Sequence, residues 1–191
     1  MIAISLATRV LSLTGLVSSV ILSVMRFERL PFSPQLIQAR WVLNKLPSED
    51  VPRLAQDALE SGYDGKNVRR IAGLIKTDWA ELLPLMPGFL SEMGVVAPLP
   101  RDEAGWLLAR LVAKGISEEQ LTPYEGARFI WKIVTEVWPN QQHPLLSFVG
   151  NASEYEDCES YSQHPEETRG QIEQDIIKDA RALLADKNGW R

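Results

Sequence analysis

Cysteine and histidine are scarce in this chain of 191 residues, which contains one cysteine, Cys158, and two histidines, His143 and His164. A single cysteine can form neither an intramolecular disulfide nor a cysteine-based zinc site. Each histidine is followed directly by proline, and two histidines leave little material for a catalytic or metal-binding centre. The sequence therefore predicts no metal site and no catalytic role for these three residues.

The chain also lacks the common nucleotide-binding and zinc-protease motifs. It contains neither Gly-x-Gly-x-x-Gly, nor the phosphate-binding loop pattern, nor His-Glu-x-x-His, so these sites have no support. A net charge of −5 disfavours non-specific binding to nucleic acid. We therefore predict a protein that is not an enzyme and that binds neither a cofactor nor nucleic acid.

The negative charge is concentrated near the C-terminus. Residues 1–150 contain fifteen acidic and fifteen basic side chains, whereas residues 151–191 contain ten acidic and five basic ones. Six of these acids lie in the segment 154–167, which has no lysine or arginine: Glu154, Glu156, Asp157, Glu159, Glu166 and Glu167. Such a run is either a solvated surface or a docking patch, because a surface of one charge sign speeds the encounter with a basic partner.

Residues 10–25 form a run without charged side chains between Arg9 and Arg26. A membrane-spanning helix needs about 20 apolar residues, and this run is shorter and interrupted by serine and threonine. We interpret residues 1–25 as an upstream extension or loosely attached helix, with translation starting at Met1 or Met25, or as a membrane anchor. A signal peptide fits less well, because no small-residue cleavage site follows. The body is expected in the cytoplasm, either without an anchor or held there by an inner-membrane anchor.

Helix start and stop signals recur along the rest of the chain, and strand-like alternation is scarce. The strongest signal is Thr-Pro-Tyr-Glu at residues 122–125, a capping box with proline at the first helical position. Two helices are predicted to end at a glycine followed by an apolar residue, at Gly62 and at Gly115. We predict a single all-α domain over residues 26–187, with seven or eight helices that could form stacked αα-hairpins.

Residues 139–164 are predicted to be a long loop that carries the acidic run. Its apolar part, residues 144–149, either fills the core or forms an apolar contact site, and we favour the core. The last helix is predicted to begin at Pro165. The string Tyr-Glu-Gly-Ala-Arg-Phe-Ile-Trp at residues 124–131 resembles segments of uncharacterised bacterial helical proteins, and this resemblance implies no function.

These patterns favour a non-catalytic protein-binding domain that masks or scaffolds a basic protein partner, as a bacterial immunity protein masks a toxin. In this interpretation acids steer the encounter, and tyrosines or the segment 144–149 anchor the complex. The predicted partner-binding residues are Glu154, Tyr155, Glu156, Asp157, Glu159 and Tyr161. Two alternatives stay open: a small hydrolase or transferase that uses carboxylates of segment 154–167, and a membrane-anchored cytoplasmic scaffold.

Overall fold

The computed structural model describes residues 30–75, 77–95, 99–139 and 143–186. The chain divides into two compact units, Met1–Pro31 and Phe32–Arg191, and the features below all belong to the second unit. The apolar run at residues 10–25 and the alternative start at Met25 lie outside the described residues.

Within the described ranges the second unit forms nine α-helices and no β-strand, which confirms the predicted all-α fold class. A short 3-10 helix, Ser48–Asp50, leads into the second helix. In chain order the helices are α1 (Pro34–Val42), α2 (Val51–Glu60), α3 (Lys66–Ala72), α4 (Trp79–Leu82), α5 (Met86–Glu92), α6 (Arg101–Ser117), α7 (Pro123–Val137), α8 (Leu146–Tyr161) and α9 (Pro165–Ala185).

Two of the predicted helix boundaries are confirmed by their hydrogen bonds and backbone angles. At the start of α7, Thr122 Oγ1 accepts the backbone N–H of Glu125 at 3.3 Å, and the Glu125 carboxylate accepts the backbone N–H of Thr122 at 3.4 Å. After α2, Gly62 adopts φ +90°, a left-handed conformation that costs glycine little. Local sequence therefore determines the start of α7 and the end of α2.

The predicted helix end at Gly115 is wrong, because α6 continues through this residue to Ser117. The left-handed residue that follows α6 is Glu119, with φ +58°. Ile116 is buried and packs against Gly126 near the start of α7, where an added Cβ would lie 2.5 Å from Ile116 Cγ1. This close approach of two helices outweighs the local preference of glycine for a helix end.

The prediction of a loop over residues 139–164 is also wrong for most of its length, because residues 146–161 form helix α8. The helix has no side-chain cap at its N-terminus and only a weakly apolar face, so no capping pattern in the sequence marks where it begins. Its buried residues are Phe148, Ala152 and Cys158, and α8 packs against α7 and α9. Tertiary packing stabilises this helix where local preference does not.

The described helices pack on one another through buried apolar side chains. Helix α3 packs against α2 and α5, and their core extends from Ile37 to Val95. Helix α9 packs against α6, α7 and α8, and α1 packs against α6. A buried ion pair fixes the end of α1, since Arg40 Nη2 donates a hydrogen bond to Asp50 Oδ2 at 2.8 Å. Helix α8 packs against both α7 and α9.

Candidate functional site

All six predicted partner-binding residues lie on α8, and the structure divides them into two groups. Tyr155, Glu156 and Glu159 contact side chains of α7 and α9. Glu154, Asp157 and Tyr161 are exposed on the opposite, solvent-facing side of the helix. The first group fastens α8 to its neighbours, and the second forms its outer surface.

A stacked pair of tyrosines joins α8 to α7. The rings of Tyr124 and Tyr155 lie with centroids 4.2 Å apart and planes 16° apart. The Tyr124 hydroxyl donates to Glu156 Oε1 at 2.8 Å, and the Tyr155 hydroxyl donates to Glu173 Oε1 at 3.4 Å. Burial raises the pKa of both tyrosines, and the neighbouring carboxylates raise it further. Both hydroxyls therefore stay protonated and continue to donate.

Two arginines lie against this tyrosine pair and neutralise part of the acidic run. Arg128 pairs with Glu156 at 3.1 Å, and its guanidinium lies 5.8 Å from the centre of the Tyr124 ring. Arg169 pairs with Glu159 at 2.7 Å and with Glu166 at 3.1 Å, and lies 5.5 Å from the centre of the Tyr155 ring. The hydrogen bond to Glu159 raises the pKa of Arg169, so its charge is permanent.

The outer face of α8, defined here as Leu146, Gly150, Glu154, Asp157 and Tyr161, combines acidic and apolar side chains. These residues are spaced by three or four positions and therefore share one face of the helix. Leu146 is 42% exposed and Tyr161 is 55% exposed, which is high for large apolar or aromatic side chains. Within the described part of the chain, the carboxylates of Glu154 and Asp157 form no ion pair, and Glu154 accepts a hydrogen bond from the Tyr161 hydroxyl at 3.2 Å.

The apolar segment 144–149 is divided between core and surface. Leu145 and Phe148 are 1% and 2% exposed, so they fill the core as expected. Leu146, between them, belongs to the outer face of α8. The segment therefore positions the exposed Leu146 between the buried Leu145, which precedes α8, and the buried Phe148 in its first turn.

The two histidines and the cysteine lie in three different environments. His143 contacts the rings of Trp106 and Trp138, with centroids 4.4 and 3.9 Å away, and burial lowers its pKa. His164 is exposed before α9, and Cys158 is buried with its Sγ 3.3 Å from the backbone carbonyl oxygen of Tyr155. Across residues 30–75, 77–95, 99–139 and 143–186, no three histidine, cysteine or acidic side chains are grouped to hold a metal ion.

Sequence reasoning missed Tyr124, Arg128 and Arg169, which support α8 from its neighbours. Arg128 and Glu156 are 28 positions apart, so no local pattern could reveal their ion pair. A usable signal existed for the helix itself: Leu145, Phe148, Ala152 and Tyr155 recur every three or four positions.

No helix in the described part of the chain is both long and apolar enough to cross a bilayer. No family model matches the chain, and no curated protein and no solved structure matches it.

Proposed function

We propose that this chain is a non-catalytic protein-binding domain that docks a basic protein partner on the outer face of α8. The observation that carries the proposal is the pattern of that face, in which two carboxylates without ion-pair partners among the described residues lie between two exposed apolar side chains. Acids of this kind steer a basic partner, and apolar side chains that become buried supply affinity.

The dimensions of the outer face suit a protein partner. Leu146 and Tyr161 are fifteen positions apart, which corresponds to roughly 22 Å along a helix that rises 1.5 Å per residue. Glu154 and Asp157 lie between them. A basic helix or loop of the partner would place lysine or arginine side chains against the two acids and apolar side chains against Leu146 and Tyr161.

The support beneath the outer face favours binding as well. Because the tyrosine pair and the two arginine clusters hold α8 against α7 and α9, the face is already ordered before a partner arrives. An ordered surface loses less conformational entropy on association. Arg128 and Arg169 also pair with Glu156 and Glu159, so the acids of α8 that have no ion-pair partner among the described residues are Glu154 and Asp157.

The sequence-based alternative of a hydrolase or transferase has weaker support. Catalytic carboxylates work in a concave site that surrounds a substrate, whereas Glu154 and Asp157 are exposed on the outer side of a helix. The scaffold alternative depends on residues 10–25, which lie outside the described ranges. An immunity protein that masks a basic toxin in the cytoplasm is the concrete form of the proposal that we favour.

A photo-crosslinking experiment identifies the partner and tests the face at once. Gly150 lies on the outer face, and apart from its chain neighbours and its own helix backbone no heavy atom lies within 4 Å of a Cβ added there. The position is therefore open for a p-benzoylphenylalanine side chain. Gly170 on α9 has the same open surroundings and is the matched control position. We expect a basic protein to crosslink at position 150 in the native cells and not at position 170.

Association kinetics with the recovered protein then test the charges. The double variant Glu154→Lys and Asp157→Lys should slow association by about tenfold or more at low salt and weaken its salt dependence. Glu60→Lys combined with Glu81→Lys changes the net charge equally at exposed positions on α2 and α4, and should have a much smaller effect. Equal slowing by both pairs, or the same adducts at positions 150 and 170, contradicts the proposal.

A further inference from the structure

A cavity of about 370 Å³ lies where α6, the beginning of α8 and the end of α9 meet. This volume is within the range of small-molecule sites in proteins. It is separate from the outer face of α8 and plays no part in the function proposed above. Its walls include Trp106, Arg110, Leu145, Phe148, Asp179 and Ala182.

The apolar part of the cavity wall is aromatic and well supported. Trp106 contributes its indole, which contacts Trp138 at 5.4 Å and His143 at 4.4 Å between ring centroids. Phe148 and Leu145 are almost completely buried and line the same space. Such walls suit the apolar or aromatic body of a small ligand, and the face of an indole or phenyl ring attracts cations.

Asp179 places a carboxylate beside these rings. Its Oδ2 accepts a hydrogen bond from the Asn151 side-chain amide at 3.2 Å, which orients the carboxylate. Among the described residues, no other side chain donates to Asp179. The second carboxylate oxygen is therefore available to a ligand, and Asp186 adds another acid to the cavity wall.

Arg110 is the basic residue of this wall, and its donors point mainly at the end of α9. Its Nη1 donates to the backbone oxygens of Leu183 and Asp186 at 2.9 Å each, and its Nη2 donates to that of Leu184 at 3.1 Å. The negative end of the α9 dipole also offsets its charge. The carboxylate and the aromatic rings therefore determine which ligand charge the cavity favours.

We propose that this cavity binds an organic cation, an ammonium or guanidinium group attached to a short apolar or aromatic body. The charged group pairs with Asp179, and the body packs against Trp106 and Phe148. A free amine and the side chain of a lysine in another protein share this chemistry.

Calorimetric titration of the full-length protein with three matched probes tests the charge preference. The probes are 2-phenylethylamine, 2-phenylethanol and 3-phenylpropanoate, which carry a phenyl ring on a short chain and differ in charge. We expect the amine to bind at least about tenfold more tightly than the alcohol and the carboxylate. Titration with Nα-acetyl-lysine amide distinguishes a free amine from a lysine side chain of another protein. If it binds about as tightly as 2-phenylethylamine, a protein side chain can occupy the cavity.

Two variants and a control locate the binding. Asp179→Asn should weaken amine binding by about tenfold or more, whereas Asp175→Asn, an exposed acid one turn earlier on α9, should leave it within about twofold. Ala182→Phe fills the cavity and should abolish binding while circular dichroism verifies the fold. Tighter binding of the carboxylate, equal weakening by both Asp variants, or no saturable amine binding overturns the proposal.

Discussion

Glu92 on α5 caps the N-terminus of α3 through Asn67: its Oε2 accepts the backbone N–H of Asn67 at 2.8 Å and that of Val68 at 3.0 Å. The residue that precedes α3 is Gly65, which has no side chain to provide a cap. An added Cβ at Gly65 would collide with the Glu92 carboxylate, so glycine leaves room for it. A side chain 25 positions away thus satisfies the first amides of this helix.

We expect Glu92→Ala to lower the free energy of unfolding by about 1 kcal/mol near pH 7, as loss of a helix cap usually does. Burial raises the pKa of Glu92, but the hydrogen bonds from Asn67 and Val68 outweigh burial and hold it below the ordinary 4.5. A lowered folded-state pKa means that this stabilisation is present above pH 4.5 and is lost as the pH falls through the folded-state value. Urea denaturation at several pH values measures the difference.

The control for this experiment is Glu60→Ala, which removes an exposed acid at the end of α2. Its effect on the free energy of unfolding should be small at neutral pH, because the side chain is exposed. If Glu92→Ala lowers the free energy of unfolding as much at pH 3 as at pH 7, the charged carboxylate does not cap α3.

Gly126 determines how closely α7 approaches α6. An added Cβ would lie 2.5 Å from both Ile116 Cγ1 and Cδ1, so Gly126→Ala should destabilise the protein by about 1–3 kcal/mol through overpacking. Gly170→Ala, at an exposed position in the second turn of α9, should instead stabilise the protein by about 0.5–1 kcal/mol. Thermal and chemical denaturation of both variants compare the two glycines directly.

A second substitution checks the cause of the Gly126 effect. Shortening the neighbour with Ile116→Val should recover part of the loss in the Gly126→Ala background, although it destabilises the native sequence. Additive effects in this double-mutant cycle would mean that the two side chains do not compete for the same space.

His143 should make the protein less stable as the solution becomes acidic. Burial against Trp106 and Trp138 lowers its pKa below the ordinary 6.5, and its Nδ1 accepts the backbone N–H of Leu145 at 3.3 Å. The unfolded chain then binds a proton at a higher pH than the folded chain, so stability falls as the pH decreases below 6.5. Proton NMR should show that His143 titrates with a midpoint below 6.5.

Denaturation of His143→Leu at several pH values completes this test. Its free energy of unfolding should fall less between pH 6.5 and 5 than that of the native protein. His164→Gln is the matched control, because His164 is exposed and is the second of two histidines in the chain. If His164→Gln flattens the curve and His143→Leu does not, the pH response has a different origin.

Short sequence patterns predicted helix ends correctly where the end depends on residues next to it in the chain. They failed where contacts between residues far apart in the sequence determine where a helix begins or ends. The Thr122 capping box and the left-handed Gly62 are both determined by a few consecutive residues. Gly115 carries the same local signal as Gly62, but Ile116 must reach α7, so the helix continues. Helix α8 has no cap, and its stability comes from side chains of two other helices.

The same distinction explains what the sequence predicted about the candidate site. Glu154 and Asp157 are recognisable as part of an acidic run, and their exposure agrees with that pattern. The division of the run into paired and outward-facing acids depends on Arg128 and Arg169, whose positions are set by the packing of α7 and α9. Only the fold shows that Tyr155 stacks on Tyr124.

The hydrogen bonds from Arg110 to the end of α9 have a mechanical consequence. The carbonyl oxygens of Leu183, Leu184 and Asp186 accept hydrogen bonds from a side chain of α6, so the end of one helix is tied to the body of another. A tensile load applied beyond Asp186 would pass into α6 through these bonds. The last turn of α9 could then separate from α6 only after these hydrogen bonds break.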